Sequence, residues 1–230
     1  LIVWSFSNWW PSFILNSKSL RKLSRFSLAL LLNGFFEIIA SNIDKILIGK
    51  TLGGVNLGIY NKSVSTVRMP VSQLMSATGR VIFPLFASIQ QENERIFSIY
   101  KKFFLAISNF ILPVTVIFYF FSTEIIHFVF GIKWVDMIPI FKLLSLTLVP
   151  LSFNILADQV VKAKGNQKHL NYITFIEKPV TVFSLCLGIY FGSIYYVTVF
   201  ATMAMFINFF IKTKIICLSL NQSIISLLKI

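Results

Sequence analysis

The sequence predicts an all-α fold, a polytopic integral membrane bundle of about six transmembrane helices preceded by an N-terminal helix stub. Its 230 residues are 56% hydrophobic and only 13% charged, whereas soluble domains carry about 25% charged residues. The apolar residues gather in segments close to the roughly 20 residues that a helix needs to cross about 30 Å of hydrocarbon. A mean hydropathy of +0.79 agrees with this class.

The apolar segments divide the chain into a stub and one bundle. Residues 1–12 are expected to end a preceding transmembrane helix, and residues 13–22 to form a cytoplasmic linker. Residues 23–217 are expected to form the six-helix bundle, and residues 218–230 a cytoplasmic tail or the start of a truncated segment. The spans are predicted at residues 23–48, 62–89, 100–121, 136–161, 172–191 and 194–211. Four of them contain proline, which either bends a helix for transport or is simply tolerated in membranes.

Lysine and arginine collect in alternate gaps between the spans, and this pattern predicts an orientation. Twelve of them lie in four gaps on one side: Lys18, Arg21, Lys22, Arg25, Arg95, Lys101, Lys102, Lys162, Lys164, Lys168, Lys212 and Lys214. The opposite gaps hold three: Lys50, Lys62 and Lys133. Because short cytoplasmic loops are enriched in basic residues, the first set is expected inside. The outer gaps then include a glycine-rich turn at Gly53-Gly54 and residues 122–136.

The same pattern accounts for the net charge of +13 without nucleic acid. A nucleic-acid-binding domain concentrates its basic residues on one face, whereas these residues are divided among the gaps. Membrane lipid is therefore the expected partner, and nucleic acid is not expected.

Polar residues inside the predicted spans are the functional candidates. An ionisable group at the bilayer centre costs at least about 2.5–3.5 kcal/mol, so it usually faces a partner or a wet cavity. In the first span, one helix face carries Asn33, Glu37, Ser41 and Asp44, with Asn42 beside them. This stripe predicts a cavity-facing surface or a set of hydrogen bonds between helices.

Two arginines mark the second span. Arg68 and Arg80 are twelve residues apart, or about 18 Å along a helix. The guanidinium group suits phosphates and carboxylates. The pair therefore predicts either successive stations on the path of an anionic substrate or ion pairs with Glu37 and Asp44. The two interpretations are compatible if the substrate competes for the same arginines.

The fourth span repeats this polar pattern. Asn154 and Asp158 are four residues apart and therefore share a helix face. Both are candidates for the cavity, although Asp158 lies near the inner end, where solvation is the alternative. In the fifth span, Glu177 and Lys178 precede Pro179, and Lys178 is expected to extend toward the cytoplasmic interface.

Catalytic and metal sites are not expected. His127 and His169 are far apart in the sequence, and no carboxylate or cysteine lies at a useful spacing from either. Cys186 and Cys217 are too few and too distant for a metal site or a disulfide framework. The chain is therefore not expected to be an enzyme or to carry a cofactor.

Several strings occur in a recognisable order. SNIDKILIGKTLGGVNLGIYNKS at residues 41–63 is followed by Phe83-Pro84, by FGIKW at residues 130–134 and by AKGNQ at residues 163–167. In order and spacing they resemble the polysaccharide or O-antigen flippases, the Wzx-type lipopolysaccharide biosynthesis proteins of the MATE-like exporter superfamily. Asn42 and Asp44 match the family string most closely.

The resemblance implies a specific architecture and activity. Such flippases have two bundles around a central cavity, and this chain would be the second bundle, with the N-terminal bundle of the same protein as its partner. The implied function is alternating-access flipping of undecaprenyl-pyrophosphate-linked oligosaccharide across the bacterial cytoplasmic membrane, for lipopolysaccharide or for capsular or exopolysaccharide. Coupling to a proton or sodium gradient through Glu37 or Asp44 is expected from their burial.

Two other functions stay open at this point. A MATE-like multidrug or small-molecule antiporter predicts a cavity of carboxylates and aromatic rings. A membrane-embedded polysaccharide polymerase or acyltransferase predicts a large outer loop with a catalytic Arg or His. Arg68 and Arg80 favour an anionic substrate instead, and the predicted outer loops are short.

Overall fold

The computed structural model describes residues 42–165 and 167–222, and the side chains of residues 77–78 and 166–174 are not described. The described residues from Asp44 onward belong to one compact unit, and the architecture below is that of this unit. The predicted stub, linker and most of the first span, including Glu37, lie outside the described residues.

Every regular element in this described part is helical, which confirms the all-α class. The helices are α1 (Ile43–Ser88), α2 (Asn93–Phe120), α3 (Ser122–Phe130), α4 (Met137–Ser145), α5 (Leu148–Ala163), α6 (Gln167–Tyr190) and α7 (Ile194–Ser219), with a 3₁₀ turn at Ile132–Trp134.

Two of these helices, α2 and α7, are long and apolar enough to cross a membrane, and α4 with α5 counts as a third if the bent pair is one span. This is fewer than the six spans predicted. The first predicted span lies largely outside the described residues, and the fifth begins where side chains are not described. The second lies within α1, whose Arg68, Gln73 and Arg80 lower its hydropathy; only Gly79–Ser88 forms a shorter apolar stretch there.

The apolar surfaces of α2 and α7 indicate a membrane environment. Only 17% of the most apolar window of α2 and 22% of that of α7 is buried. Exposed large side chains on the two helices include Phe110, Leu112, Val116, Met203, Ile207 and Phe210. Soluble proteins rarely expose apolar surfaces of this extent, so these faces suit hydrocarbon.

The turn predicted between the first and second spans lies inside α1. Gly53 has φ 84° and ψ 170° and divides α1 into two helical parts; only glycine adopts this conformation readily. A Cβ atom at Gly49 would lie 3.0 Å from Cδ2 of Leu57. The two parts therefore approach closely on either side of Gly53.

The fourth predicted span is broken between α4 and α5, whose axes differ by 48°. Pro150 lacks the N–H that would bond to the carbonyl of Leu146, and its ring crowds that carbonyl. The first helix accordingly ends at Ser145 and the second begins at Leu148. The Oγ1 of Thr147 donates to the carbonyl of Leu144 at 2.6 Å, which satisfies one acceptor at the break.

Aromatic side chains hold the central helices together. Phe104 of α2 stacks on Phe153 of α5 with ring centroids 3.9 Å apart. Phe153 also contacts Phe209 of α7 at 5.7 Å. Helix α6 packs most extensively on α7. α5 and α7 therefore form the centre of this unit, with α2 and α6 packed against them.

A lysine joins three helix ends at one side of the bundle. Lys164, directly after α5, donates from Nζ to Oδ1 of Asn93 at 2.7 Å and to the carbonyl of Ser219 at 3.2 Å. Burial lowers the pKa of Lys164 below its ordinary value. The start of α2 and the ends of α5 and α7 thus meet, which agrees with the sequence prediction that these three gaps share a side.

Candidate functional site

Helix α1 carries an exposed polar stripe. Arg68, Ser72, Ser76 and Arg80 follow one another at intervals of four residues, and all four are exposed. On a regular helix they fall within about 120° of arc. The largely opposite face carries the buried side chains Tyr60, Val67, Val71 and Ile82. The two predicted arginines therefore stand at the ends of a row of exposed polar side chains.

Asp44 lies in the first turn of α1, where it is half-buried. Its Oδ1 accepts a hydrogen bond from the backbone N–H of Lys45 at 2.9 Å. Asp44 and Arg68 both lie within electrostatic range of the Tyr60 hydroxyl. The ion pairs of the described residues include neither Asp44 nor Arg68, so an ion pair between these two residues, one of the two predicted alternatives, is not observed there. Asn42 directly precedes α1 and is also half-buried.

Three charged side chains meet between α5, α6 and α7. Nζ of Lys212 lies 2.9 Å from Oδ1 of Asp158 and 3.1 Å from Oε1 of Glu177. The Lys212 side chain is only 6% exposed, against 36% for Asp158 and 20% for Glu177. Asp158 is therefore paired with Lys212 and is also partly exposed. We call these three residues the ion cluster.

A second polar layer lies one helical turn from the ion cluster. Asn154, Thr181 and Asn208 are each four residues from a member of the cluster on the same helix, or about 6 Å along the axis. Nδ2 of Asn208 donates to Oγ1 of Thr181 at 3.2 Å. Oδ1 of Asn154 and Oδ1 of Asn208 are buried without a hydrogen-bond partner. We call these residues the amide layer.

Lys212 corrects the sequence prediction. It was expected in a cytoplasmic gap after a span ending at residue 211, but α7 continues to Ser219. Lys212 is consequently inside a helix and buried. The sequence did contain a signal for this site, because two polar residues four positions apart occur on each of three helices. The pairs are Asn154 with Asp158, Glu177 with Thr181, and Asn208 with Lys212.

The chemistry of these sites is polar and electrostatic. The polar stripe presents guanidinium and hydroxyl groups, which bind anions and sugars by hydrogen bonds. The ion cluster presents carboxylates around one ammonium. Within the described residues, no group of three His, Cys, Asp or Glu side chains is placed to hold a metal ion.

Comparison with known proteins identifies the family. Residues 1–139 match the family described as "Polysaccharide biosynthesis protein", which covers more than half of the chain and includes the whole polar stripe. The chain belongs to this family. The resemblance to O-antigen flippase-type proteins is thereby confirmed, and the chain is a polysaccharide-related membrane protein.

Three relatives agree with this assignment. The teichuronic acid biosynthesis protein TuaB of Bacillus subtilis (strain 168) is 30% identical over 142 residues, which is 60% of this chain and 29% of TuaB. An uncharacterized membrane protein in the cps region of Klebsiella pneumoniae is 28% identical over 56% of this chain and 27% of its own length. The lipopolysaccharide biosynthesis protein WzxC of Escherichia coli (strain K12) is 27% identical over 52% of this chain and 24% of WzxC.

The matched segment thus spans less than a third of each relative. No solved structure matches the chain. The ion cluster and the amide layer lie beyond residue 139, outside the part that matches the family.

Proposed function

We propose that the chain forms the second bundle of a flippase that carries lipid-linked oligosaccharide from the cytoplasmic to the outer leaflet of the bacterial cytoplasmic membrane. The observation that carries the proposal is the polar stripe on α1, exposed on a helix of a polysaccharide biosynthesis family. The printed names of WzxC and TuaB, which refer to lipopolysaccharide and teichuronic acid biosynthesis, support it.

The need to move polar and charged groups across hydrocarbon explains why the polar stripe suits this substrate. The pyrophosphate and sugars of an undecaprenyl-pyrophosphate oligosaccharide cannot enter hydrocarbon, because each unpaired polar group costs several kcal/mol there. Arg68 and Arg80 are about 18 Å apart, which is more than half of the roughly 30 Å core. They would bind the pyrophosphate in succession, while hydroxyl groups between them bind sugar and the prenyl tail stays in lipid.

The remaining parts of the proposal follow from alternating access. The N-terminal bundle of the same protein would face the stripe, and rocking of the two bundles would open the path to each side in turn. No bond of the substrate is made or broken, so the chain acts as a transporter and not as an enzyme. A multidrug or small-molecule antiporter is the alternative, and the experiment below separates the two.

The test uses Arg68→Ala and Arg80→Ala in the complete protein in cells that depend on it for polysaccharide export. We expect at least a tenfold fall in exported polymer at normal protein level, with lipid-linked oligosaccharide accumulating. Lysine at either position should restore part of the export, because it keeps the charge and loses only the bidentate geometry.

Lys102→Ala is the matched control, since Lys102 is an equally exposed basic residue on α2 and should leave export unchanged. Full export by both alanine variants would overturn the proposal. Loss of drug tolerance together with unchanged export would support the antiporter instead.

A further inference from the structure

The short helix α3 has three different faces. Its buried face, formed by Ser122 and Ile126, belongs to a helix that contacts its neighbours α2 and α4. We call its exposed polar residues the α3 polar face: Thr123, Glu124 and His127. We call its exposed apolar residues, with the residue directly before the helix, the α3 apolar face: Phe121, Phe128 and Val129. At about 100° per residue, each of these two faces covers about 100° of arc, and they do not overlap.

The α3 apolar face is part of a larger apolar surface. Phe128 is 93% exposed, and Ile132 in the following 3₁₀ turn is 78% exposed. Phe120, the last residue of α2, is also exposed, so the surface of α2 that suits hydrocarbon continues to the start of α3. Exposed apolar surfaces of this extent mark a contact with lipid or with another protein, and this continuity favours lipid.

Helix α3 lies where the boundary between membrane and water is expected. The 28 residues of α2 span about 42 Å, which exceeds the roughly 30 Å of the hydrocarbon core. The end of α2 at Phe120 therefore reaches the boundary, and α3 begins two residues later at Ser122. The charge pattern assigns this gap to the outer side.

Tyrosines mark the same end of the bundle. Lys164 joins the start of α2 to the end of α7, and both helices are long enough to span a membrane. The end of α2 and the start of α7 therefore lie on the opposite side. Exposed tyrosines beside the start of α7 are Tyr190, Tyr195 and Tyr196. Because tyrosine is enriched at membrane–water interfaces, they place the boundary at this end independently of α3.

We propose that α3 is an interfacial helix, which lies in the headgroup region of the outer leaflet with its apolar face among phospholipid acyl chains. The three faces of α3 then have three surroundings: protein, water and lipid. A helix surrounded by water would leave Phe128 unburied, and a helix within hydrocarbon would leave Glu124 without water. The exposed Lys133, next to Ile132, would extend its ammonium to the lipid phosphates.

This lipid contact has a consequence for the bundle. Because α3 lies between α2 and α4 in the chain and contacts both, its depth in the leaflet sets the depth of their adjoining ends. The proposal goes beyond the flippase function and does not rest on it, since no transported substrate takes part in the contact.

Nitroxide spin labels on single cysteines test the orientation of α3 in the complete protein, reconstituted in phospholipid bilayers. The native cysteines, Cys186 and Cys217 among them, are replaced by alanine. Thr123→Cys and Phe128→Cys place the label on the polar and the apolar face. The label's accessibility is measured to oxygen, which partitions into lipid, and to a water-soluble nickel chelate. The oxygen-to-nickel ratio should be at least about threefold higher at Phe128→Cys, because the apolar face of an interfacial helix lies about 5–10 Å inside the boundary.

Two exposed positions outside α3 calibrate the ratio: Val116→Cys on the apolar surface of α2 for lipid, and Gln90→Cys for water. His127→Cys and Val129→Cys repeat the comparison of the two faces, so the test stands even if one variant does not fold.

Three results would overturn the proposal. Ratios as low as that of Gln90→Cys on both faces would place α3 in water. Ratios as high as that of Val116→Cys on both faces would place it inside the hydrocarbon. An apolar face that neither reagent reaches would show that protein covers it instead of lipid.

Discussion

At the scale of single residues, Lys212 is the clearest case of a side chain whose role depends on its surroundings. A buried ammonium is costly by itself, and its two carboxylate neighbours offset that cost. Removing it would leave two partly buried negative charges close together, whereas most surface lysines contribute little to stability. Two lysines that are only two positions apart, the buried Lys212 and the exposed Lys214, thus differ strongly in their expected contribution to stability.

Lys212→Met should therefore lower stability strongly, by about 3–5 kcal/mol, because it breaks a buried ion pair from one side. Lys214→Met should have little effect. Combining Lys212→Met with Asp158→Asn and Glu177→Gln should recover much of the loss, since no uncompensated charge stays behind. Melting temperatures in detergent measure all three variants, and equal values for Lys212→Met and Lys214→Met would contradict the ion cluster.

Sequence reasoning found part of this site for a definite reason. Asn154 and Asp158 stood out because polar residues four positions apart interrupt an apolar segment. Lys212 was missed because a hydropathy pattern ends a span at the first lysine, although a helix continues beyond it when carboxylates on neighbouring helices supply partners. That information lies in the packing of α5, α6 and α7.

At the scale of helices, the α6–α7 pair depends on one small residue. A Cβ atom at Gly188 would lie 2.4 Å from Cα and 2.8 Å from the backbone nitrogen of Val197. Both are main-chain atoms, which cannot swing aside as a side chain does. Small residues allow this close approach of membrane helices, and the adjoining turn at Gly192 keeps the two helices antiparallel.

Gly188→Ala should separate α6 from α7 and destabilise the protein by about 1–3 kcal/mol, the usual cost of overpacking. Gly58→Ala is the control, because Gly58 is an exposed helical glycine and a Cβ atom there would have nothing within 4 Å. The control should be neutral or slightly stabilising, since alanine has the higher helix propensity. A Gly188→Ala protein that melts with or above the wild type would refute the close crossing.

The helices differ in how far the sequence predicts them. Spans 100–121 and 194–211 correspond to α2 and α7 because their long apolar runs admit no other arrangement, and their ends alone were misplaced. The break at Pro150 was not predicted, because a proline does not by itself mark a break in a membrane helix. Pro113 and Pro179, for example, stay within continuous helices. The nine-residue helix α3 lies within residues 122–136, which the charge pattern assigned to an outer gap.

At the scale of the whole bundle, the hydrogen bonds of Lys164 bring together three helix ends that the charge pattern assigns to the same side. Its bonds to Asn93 and Ser219 place the start of α2 and the ends of α5 and α7 together. Residues 90–93 and 219–222 then belong on one side of the membrane. The exposed Lys133, in the gap between α3 and α4, belongs on the opposite side. The chain beside these linked ends carries Arg95, Lys162 and Lys164, and short cytoplasmic loops are enriched in basic residues, so we expect that side to be cytoplasmic.

Labelling of single cysteines in cells tests this topology. With Cys186 and Cys217 replaced by alanine, Gln90→Cys and Gln222→Cys should resist a membrane-impermeant maleimide in intact cells and react after permeabilisation. Lys133→Cys should react in both conditions, because it faces outward. The paired positions make the test specific, since Gln90 and Gln222 are distant in sequence and Lys164 links the helix ends beside them. Opposite labelling of these two would refute the bundle, whereas joint labelling from outside would keep the bundle and reverse its orientation.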